Sequence, residues 1–256
     1  MQAVGDFQID REVEYEGMFM RPDELLVGYE PSLLDRHRSW LGHTIDGTSG
    51  RLLLSFHSFI LRTGRYTILI DACMGNDKER PRIPLAHHRD TDFLLRLEDR
   101  GVRPEAVDFV MCTHLHWDHV GWNTRLRDGR WVPTFPNARY VIARAEFEHR
   151  DALHARGDET MHSLAFADSI QPLVRAERAL IVESDFALED GVWLEPYPGH
   201  TPGNVVINLK SRGQRGVFSG DILHSPLQLA CPKLYSIACH DPQASVASRE
   251  RLIGQH

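Results

Sequence analysis

The chain has 256 residues, of which 42% are hydrophobic and 25% charged, with a formal net charge of −7. It is long enough to bury a substantial core, and its composition excludes a mainly disordered or fibrous protein. The acidic balance argues against a broad nucleic-acid-binding face. The four cysteines, Cys73, Cys112, Cys231 and Cys239, form no C-x-x-C pair, so no disulfide framework is expected and a reducing compartment is the default. Met1 to Asp10 lacks the basic start and apolar stretch of a signal peptide. No apolar run approaches the roughly 20 residues of a membrane span. A cytoplasmic protein without membrane or nucleic-acid partners is the expectation. The unusual number is fifteen histidines, since histidine is the commonest metal ligand.

Residues 1–50 are weakly patterned and read as an N-terminal extension. Apolar runs at 52–61 and 66–71, joined by Thr63-Gly64-Arg65, read as a hairpin. Asp92 to Arg100 carries a helical apolar pattern that stops at Gly101. Residues 107–112 form a buried-type strand. Further strands are expected at 139–142, 192–194, 205–209 and 216–219, with helices at 144–156 and 241–253. There is no internal repeat and no linker-like stretch, so the reading is one α/β domain over 1–256.

The central motif follows the strand at 107–112: His114-x-His116-x-Asp118-His119. In an extended stretch, positions i and i+2 share a side, so His114 and His116 can grip one ion together. Asp118 and His119 come after the turn and can point to a second, adjacent ion. Imidazole nitrogen and carboxylate oxygen suit zinc, and also manganese, iron or cobalt. His200 sits in the tight loop Pro198-Gly199-His200-Thr201-Pro202-Gly203, and Asp221 follows the strand at 216–219. Alone, each reads as an ordinary loop or turn residue; beside the first motif, both become metal-ligand candidates.

In order and spacing these segments resemble the metallo-β-lactamase fold superfamily. The runs 71–78, 119–124, 135–140 and 220–228 are similar to the branch that holds the quorum-quenching N-acyl-homoserine lactonases and neighbours the organophosphate hydrolases. The resemblance implies an αββα sandwich of two mixed sheets with helices on the outer faces. It implies two divalent ions, zinc foremost: one on His114, His116 and His200, the other on Asp118 and His119, with Asp221 bridging. Hydroxide formed on the ions would attack a lactone or ester carbonyl, with Asp118 shuttling the proton. His224 stands where related lactonases often carry tyrosine and would assist. Thr113, Asp71 and Thr201 are candidates to orient the ligand imidazoles. The substrate would be a small molecule of the N-acyl-homoserine lactone type, and a homodimer is allowed for. Hydrolysis of organophosphates or aryl esters by the same site is the alternative reading; a non-catalytic metal-binding protein is the alternative from another class.

The family's last histidine follows a helix near the C-terminus. Here the helix expected at 241–253 is followed by Gly254-Gln255-His256, and His240 and His256 stand in a different context. This reads as a truncated frame whose final strand and helix are missing. Among the other histidines, His87 and His88 are expected in a solvated loop, and His149, His154 and His162 on solvated helix faces. Trp117, Trp122, Phe147 and Phe166 are read either as pocket walls or as packing.

Overall fold

Successive side chains of a strand face opposite sides of a sheet, and the apolar runs of this chain use both sides. The computed structural model describes residues 2–255; His256 lies outside the described residues. Seven strands form the larger sheet: β1 (Gln2–Val4), β2 (Phe7–Met18), β3 (Leu53–Arg62), β4 (Thr67–Ile70), β5 (Phe109–Met111), β6 (Arg139–Ala143) and β7 (Ala179–Val182), adjacent in that order. Neighbours from β1 to β4 pair antiparallel, and those from β4 to β7 parallel. The second sheet runs β8 (Ala187–Glu189), β9 (Val192–Pro196), β10 (Val205–Ser211) and β11 (Gln214–Phe218).

The layers follow from the alternation. Leu61, Ile68, Ile70, Met111 and Val141 join Val192, Leu194, Val205, Ile207 and Leu209 in a core between the sheets. Their neighbours Ile60, Leu69, Val110, Tyr140 and Ile142 face the other way, onto Phe93 and Leu97 of the helix Phe93–Asp99 and onto Phe166, Ile170 and Leu173. Beyond the second sheet, Val206 packs with Ile222 and with Leu252 of the helix Pro242–Gln255. Helices thus cover both outer faces, and the sandwich is the one the resemblance implies. The larger sheet is mixed, whereas the second is antiparallel throughout. Only Asp190-Gly191 and Arg212-Gly213 connect two of its strand pairs, and so short a link can only return the chain beside itself.

Residues 2–50 are built into this frame instead of extending from it. β2 lies inside the larger sheet, paired with β3 from Gln8–Arg62 to Met18–Leu53. Its start buries Phe7 and Ile9 between the sheets; its middle buries Glu12 and Glu14 on the helical side. Glu12 takes Arg96 at 2.8 Å and also Arg100, both from the helix side. Residues 25–52 form a lobe with 227–234, where Leu25, Leu33, Leu41, Leu52, Leu227 and Leu234 share a small core. A hairpin of Thr124–Arg127 with Arg130–Pro133 was also not foreseen. Its turn residues Asp128 and Gly129 have φ of 51° and 72°, the left-handed pair of a type I′ turn. All four cysteines are free thiols. Among the described residues no helix is long and apolar enough to cross a membrane.

Glu14 carries the frame toward the motif. Its carboxylate accepts the backbone N–H groups of Met74 (2.7 Å) and Gly75 (3.2 Å) and the indole N–H of Trp122 (2.8 Å). The loop so held crosses the end of the motif backbone to backbone. Ala72 donates to the His119 carbonyl, Gly121 to that of Cys73 and Trp122 to that of Ala72, each at 2.7 Å. A Cβ on Gly121 would lie 1.8 Å from the Met74 carbonyl oxygen. Gly121→Ala is therefore expected to destabilise the fold by about 1–3 kcal/mol. Denaturant unfolding checks this, and an unchanged midpoint would show that the crossing gives way freely.

Candidate metal centre

β5 ends at Met111, the chain bends at Thr113, and His116 is extended (φ −75°, ψ 157°) just before the single helical turn Trp117–Val120. The change of backbone divides the motif. His114 and His116 come before the helical turn, Asp118 and His119 from within it. The loop between β9 and β10 brings His200 alongside, tied by the Val205 N–H to the Thr113 carbonyl at 3.0 Å. Gly199 has φ of 134°, and a Cβ there would fall 2.1 Å from the Ser245 nitrogen. Glu146, buried on the helix Arg144–Ala155, clasps the two loops by accepting the N–H groups of Leu115 and Gly203, each at 3.1 Å. Asp221 comes from the turn Gly220–Ile222 after β11.

These residues converge as two groups that share one carboxylate. Donor atoms of His114, His116, His200 and Asp221 lie within 4.8 Å of one another, as do those of Asp118, His119 and Asp221. Asp221 Oδ2 stands 3.4 Å from His200 Nε2, 3.3 Å from His224 Nε2 and 4.0 Å from His114 Nε2, whereas its Oδ1 stands 3.1 Å from His119 Nε2. His116 Nδ1 and His200 Nε2 are 2.9 Å apart. His114 Nε2 is buried without a hydrogen-bond partner among the described residues, although buried polar atoms are nearly always satisfied. A divalent cation among these nitrogens and oxygens would satisfy it, so the donor set fits a metal.

Electrostatics sort the imidazoles. Burial, reinforced by neighbouring histidines, holds the pKa of His114 and His116 well below the usual range. Burial brings His200 down to about 3. Metal binding needs such neutral rings. For His119, burial opposes protonation, but Asp221, Asp71 and Asp118 outweigh it and hold the pKa well above the usual value. Burial raises Asp118 to about 6. Asp221 is held well below the carboxylate range because His119 and His224 overcome its burial.

Of the expected orienting residues, Asp71 and Thr113 are in contact with the ligand candidates. Asp71, at a left-handed φ of 56°, accepts the Thr113 N–H and hydroxyl, both at 2.8 Å, and pairs with His119 Nδ1 at 2.9 Å. The Thr113 hydroxyl also stands 3.1 Å from His114 Nδ1. The Thr201 hydroxyl is buried with no partner among the described residues and orients none of these rings. His224 lies at the group's edge and lines the adjoining cavity.

That cavity, about 600 Å³, has mostly apolar walls that include Phe19, Leu54, Phe56, Ile83, Trp117 and Val217. Trp117 thus forms pocket wall as well as packing. Trp122 is packing, stacked on Phe93 at 5.4 Å, and Phe147 and Phe166 pack on each other at 5.6 Å. His162 departs from its expected solvated face: it lines the cavity, with its ring stacked on His116 at 3.9 Å. Tertiary packing of its short helix, invisible in local pattern, brings it there. His57 also lines the cavity, with its Nδ1 2.9 Å from the Ser55 hydroxyl; their i, i+2 spacing on a strand was the available signal. His88 is exposed and pairs with Glu79 at 2.9 Å. His149 and the exposed His240 meet ring to ring at 5.1 Å, and His154 lies 5.7 Å from Phe166.

A family model described as the metallo-beta-lactamase superfamily matches residues 55–254, and the chain belongs to that superfamily. Within it, the chain is similar to an N-acyl homoserine lactonase of Bacillus sp., 28% identical over 173 residues, which are 61% of this chain and 59% of the relative. The chain therefore spans less than two thirds of that relative's length. It is likewise 28% identical over 220 residues to an N-acyl homoserine lactonase of Bacillus thuringiensis, covering 80% of this chain and 78% of the relative. In fold it is similar to a probable metal-dependent hydrolase from Staphylococcus aureus, with a TM-score of 0.80 and 21% identity over 99% of this chain and 86% of the other. It is also similar to AidC, a dizinc quorum-quenching lactonase solved with a product, with a TM-score of 0.75 and 18% identity over 99% and 85%.

Loss of an outer partner of a ligand histidine typically weakens metal binding 10- to 100-fold. Asp71→Asn is accordingly expected to lower zinc affinity by about tenfold in competition with a chelator. Unchanged affinity would remove Asp71 from the orienting role.

Proposed function

We propose that this chain is a hydrolase of ester bonds that uses two divalent metal ions, zinc foremost. His114, His116, His200 and Asp221 hold one ion; Asp118, His119 and Asp221 hold the other. The observation that carries this reading is Asp221, whose two carboxylate oxygens face different histidines of two adjoining donor groups. When bound, such ions polarise a carbonyl and make water nucleophilic near neutral pH.

The chain's own residues supply the rest. Asp118, with a pKa raised to about 6, accepts a proton at its carboxylate and passes it to the departing alkoxide. His224, on the cavity wall beside Asp221, donates a hydrogen bond to the reacting carbonyl. The apolar wall excludes water and takes up a hydrocarbon chain, while Ser55, His57 and Ser236 offer polar contacts. A cavity of this size suits a small-molecule substrate. The wall and the two lactonase relatives favour N-acyl homoserine lactones, whose opening would quench a quorum signal.

The direct test follows acid release from N-acyl homoserine lactones with a pH indicator, alongside nitrophenol release from an organophosphate triester and an aryl ester. Lactone opening above a metal-free control is expected. Turnover of only the other substrates would move the reading to a xenobiotic hydrolase, and turnover of none would overturn it. His116→Ala is expected to abolish activity and to lower bound metal, measured by elemental analysis; two tightly retained ions would refute the ligand set. Asp118→Asn should lower kcat by about 10²- to 10⁴-fold with little change in KM, and an undiminished kcat would remove Asp118 from the proton path.

A further inference from the structure

The terminal torsion of a histidine side chain is soft and roughly two-fold, so a ligand imidazole needs a neighbour to fix its ring plane. Three of the four histidines in the two donor groups have such a neighbour on the nitrogen turned away from the centre. His114 Nδ1 has the Thr113 hydroxyl at 3.1 Å, and His119 Nδ1 has Asp71 at 2.9 Å. His200 Nδ1 has the Cys239 thiol at 3.8 Å. His116 has no such hydrogen bond: its one close polar partner among the described residues is His200, its own co-ligand in the proposed site. Its ring is instead covered on the flat. His162 lies against it with centroids 3.9 Å apart and planes 27° apart, whereas His114 and His200 approach it edge-on, at 76° and 73°.

We infer that His162 is a positioning residue that fixes the ring plane of His116 by stacking, in place of the hydrogen bond that serves the other three. The inference rests on the proposed metal centre. It requires that the backbone carrying His162 be anchored, and it is. Its helix, Met161–Ala165, continues into the turn Phe166–Ile170, whose Phe166 and Ile170 are buried in the core. Within that turn, Asp168 accepts from both terminal guanidinium nitrogens of buried Arg80, at 2.7 and 3.0 Å, with buried Lys78 at 3.4 Å. The stacked ring therefore stands on an anchored platform, as a support for a ligand must.

The test compares His162→Ala, His162→Phe and His162→Gln by zinc affinity against a chelator and by the visible absorption of the cobalt-substituted protein. His116→Ala supplies the reference for loss of the first ion. The alanine variant should lose about tenfold or more in affinity at one site and shift the cobalt spectrum. The phenylalanine variant, which keeps a flat ring, should restore both, and the glutamine variant, which keeps polarity without a ring, should restore neither. Rescue by glutamine alone would overturn the inference in favour of a hydrogen-bonding role. Intact metal binding with only a raised KM would overturn it in favour of substrate contact. If the alanine variant fails to fold, the phenylalanine and glutamine pair still decides. Wild-type protein that takes up no metal would sink the proposed function itself; two ions bound by wild type and equally by the alanine variant would sink this inference alone.

Discussion

One carboxylate sets the geometry on which the candidate site depends. Asp71 leaves β4 with a left-handed backbone and gathers three donors: the Thr113 N–H, the Thr113 hydroxyl and His119 Nδ1. The first two hold the start of the motif where β5 ends, and the third reaches past the helical turn to the motif's last residue. One side chain thus spans both backbone conformations of the motif. That spacing keeps His114 and His116 in one group and His119 in the other, with Asp221 between them. A carboxylate with this many donors is hard to rotate, because any motion leaves buried groups unpaired.

The sandwich serves this arrangement by bringing strand ends and loops to one edge. β4 delivers Asp71, β5 the motif, the β9–β10 loop His200, and the end of β11 Asp221. Buried carboxylates lash the loops together: Glu14 holds 74–75 against the motif's end, and Glu146 ties 115 to 203. Each accepts backbone N–H groups, so a loop that cannot pair within a sheet still has its polar atoms satisfied. The backbone beneath the site is tied down in this way, and each ligand ring is then fixed by a neighbour of its own.

Much of this was legible in the sequence, and the illegible parts share a physical cause. The motif His114 to His119 carried its own chemistry, and the apolar runs of β3 to β6 announced themselves. β2 did not, because its middle buries Glu12 and Glu14, which a sequence reading takes for a solvated face. Their burial is allowed only by partners far along the chain: Arg96 and Arg100 for one, the 74–75 amides and Trp122 for the other. His162 was misread for the same reason, since no local pattern says that a short helix will be packed over His116. The hairpin at 124–133 is a different case. Asp128-Gly129 between short runs is a turn signal with a known mechanism, and it was there to be used. Thr201 shows the converse, a residue next to a ligand in sequence whose hydroxyl bonds to none of the ligand rings.

The lobe that shares Leu25, Leu52, Leu227 and Leu234 supplies Met20, Leu25 and Leu54 to the cavity's wall but none of the donor groups. Leu25, Leu54 and Ile237 line the cavity from elements outside the motif's bracing. The pocket therefore combines a floor fixed by carboxylates and strand ends with one stretch of wall held by ordinary leucine packing. Leucine packing tolerates exchange of one apolar shape for another far better than a hydrogen-bonded frame tolerates loss of a partner. Descendants of this chain can reshape what they admit by drifting in the lobe while the floor stays as it is, so a change of diet need not pass through a loss of chemistry.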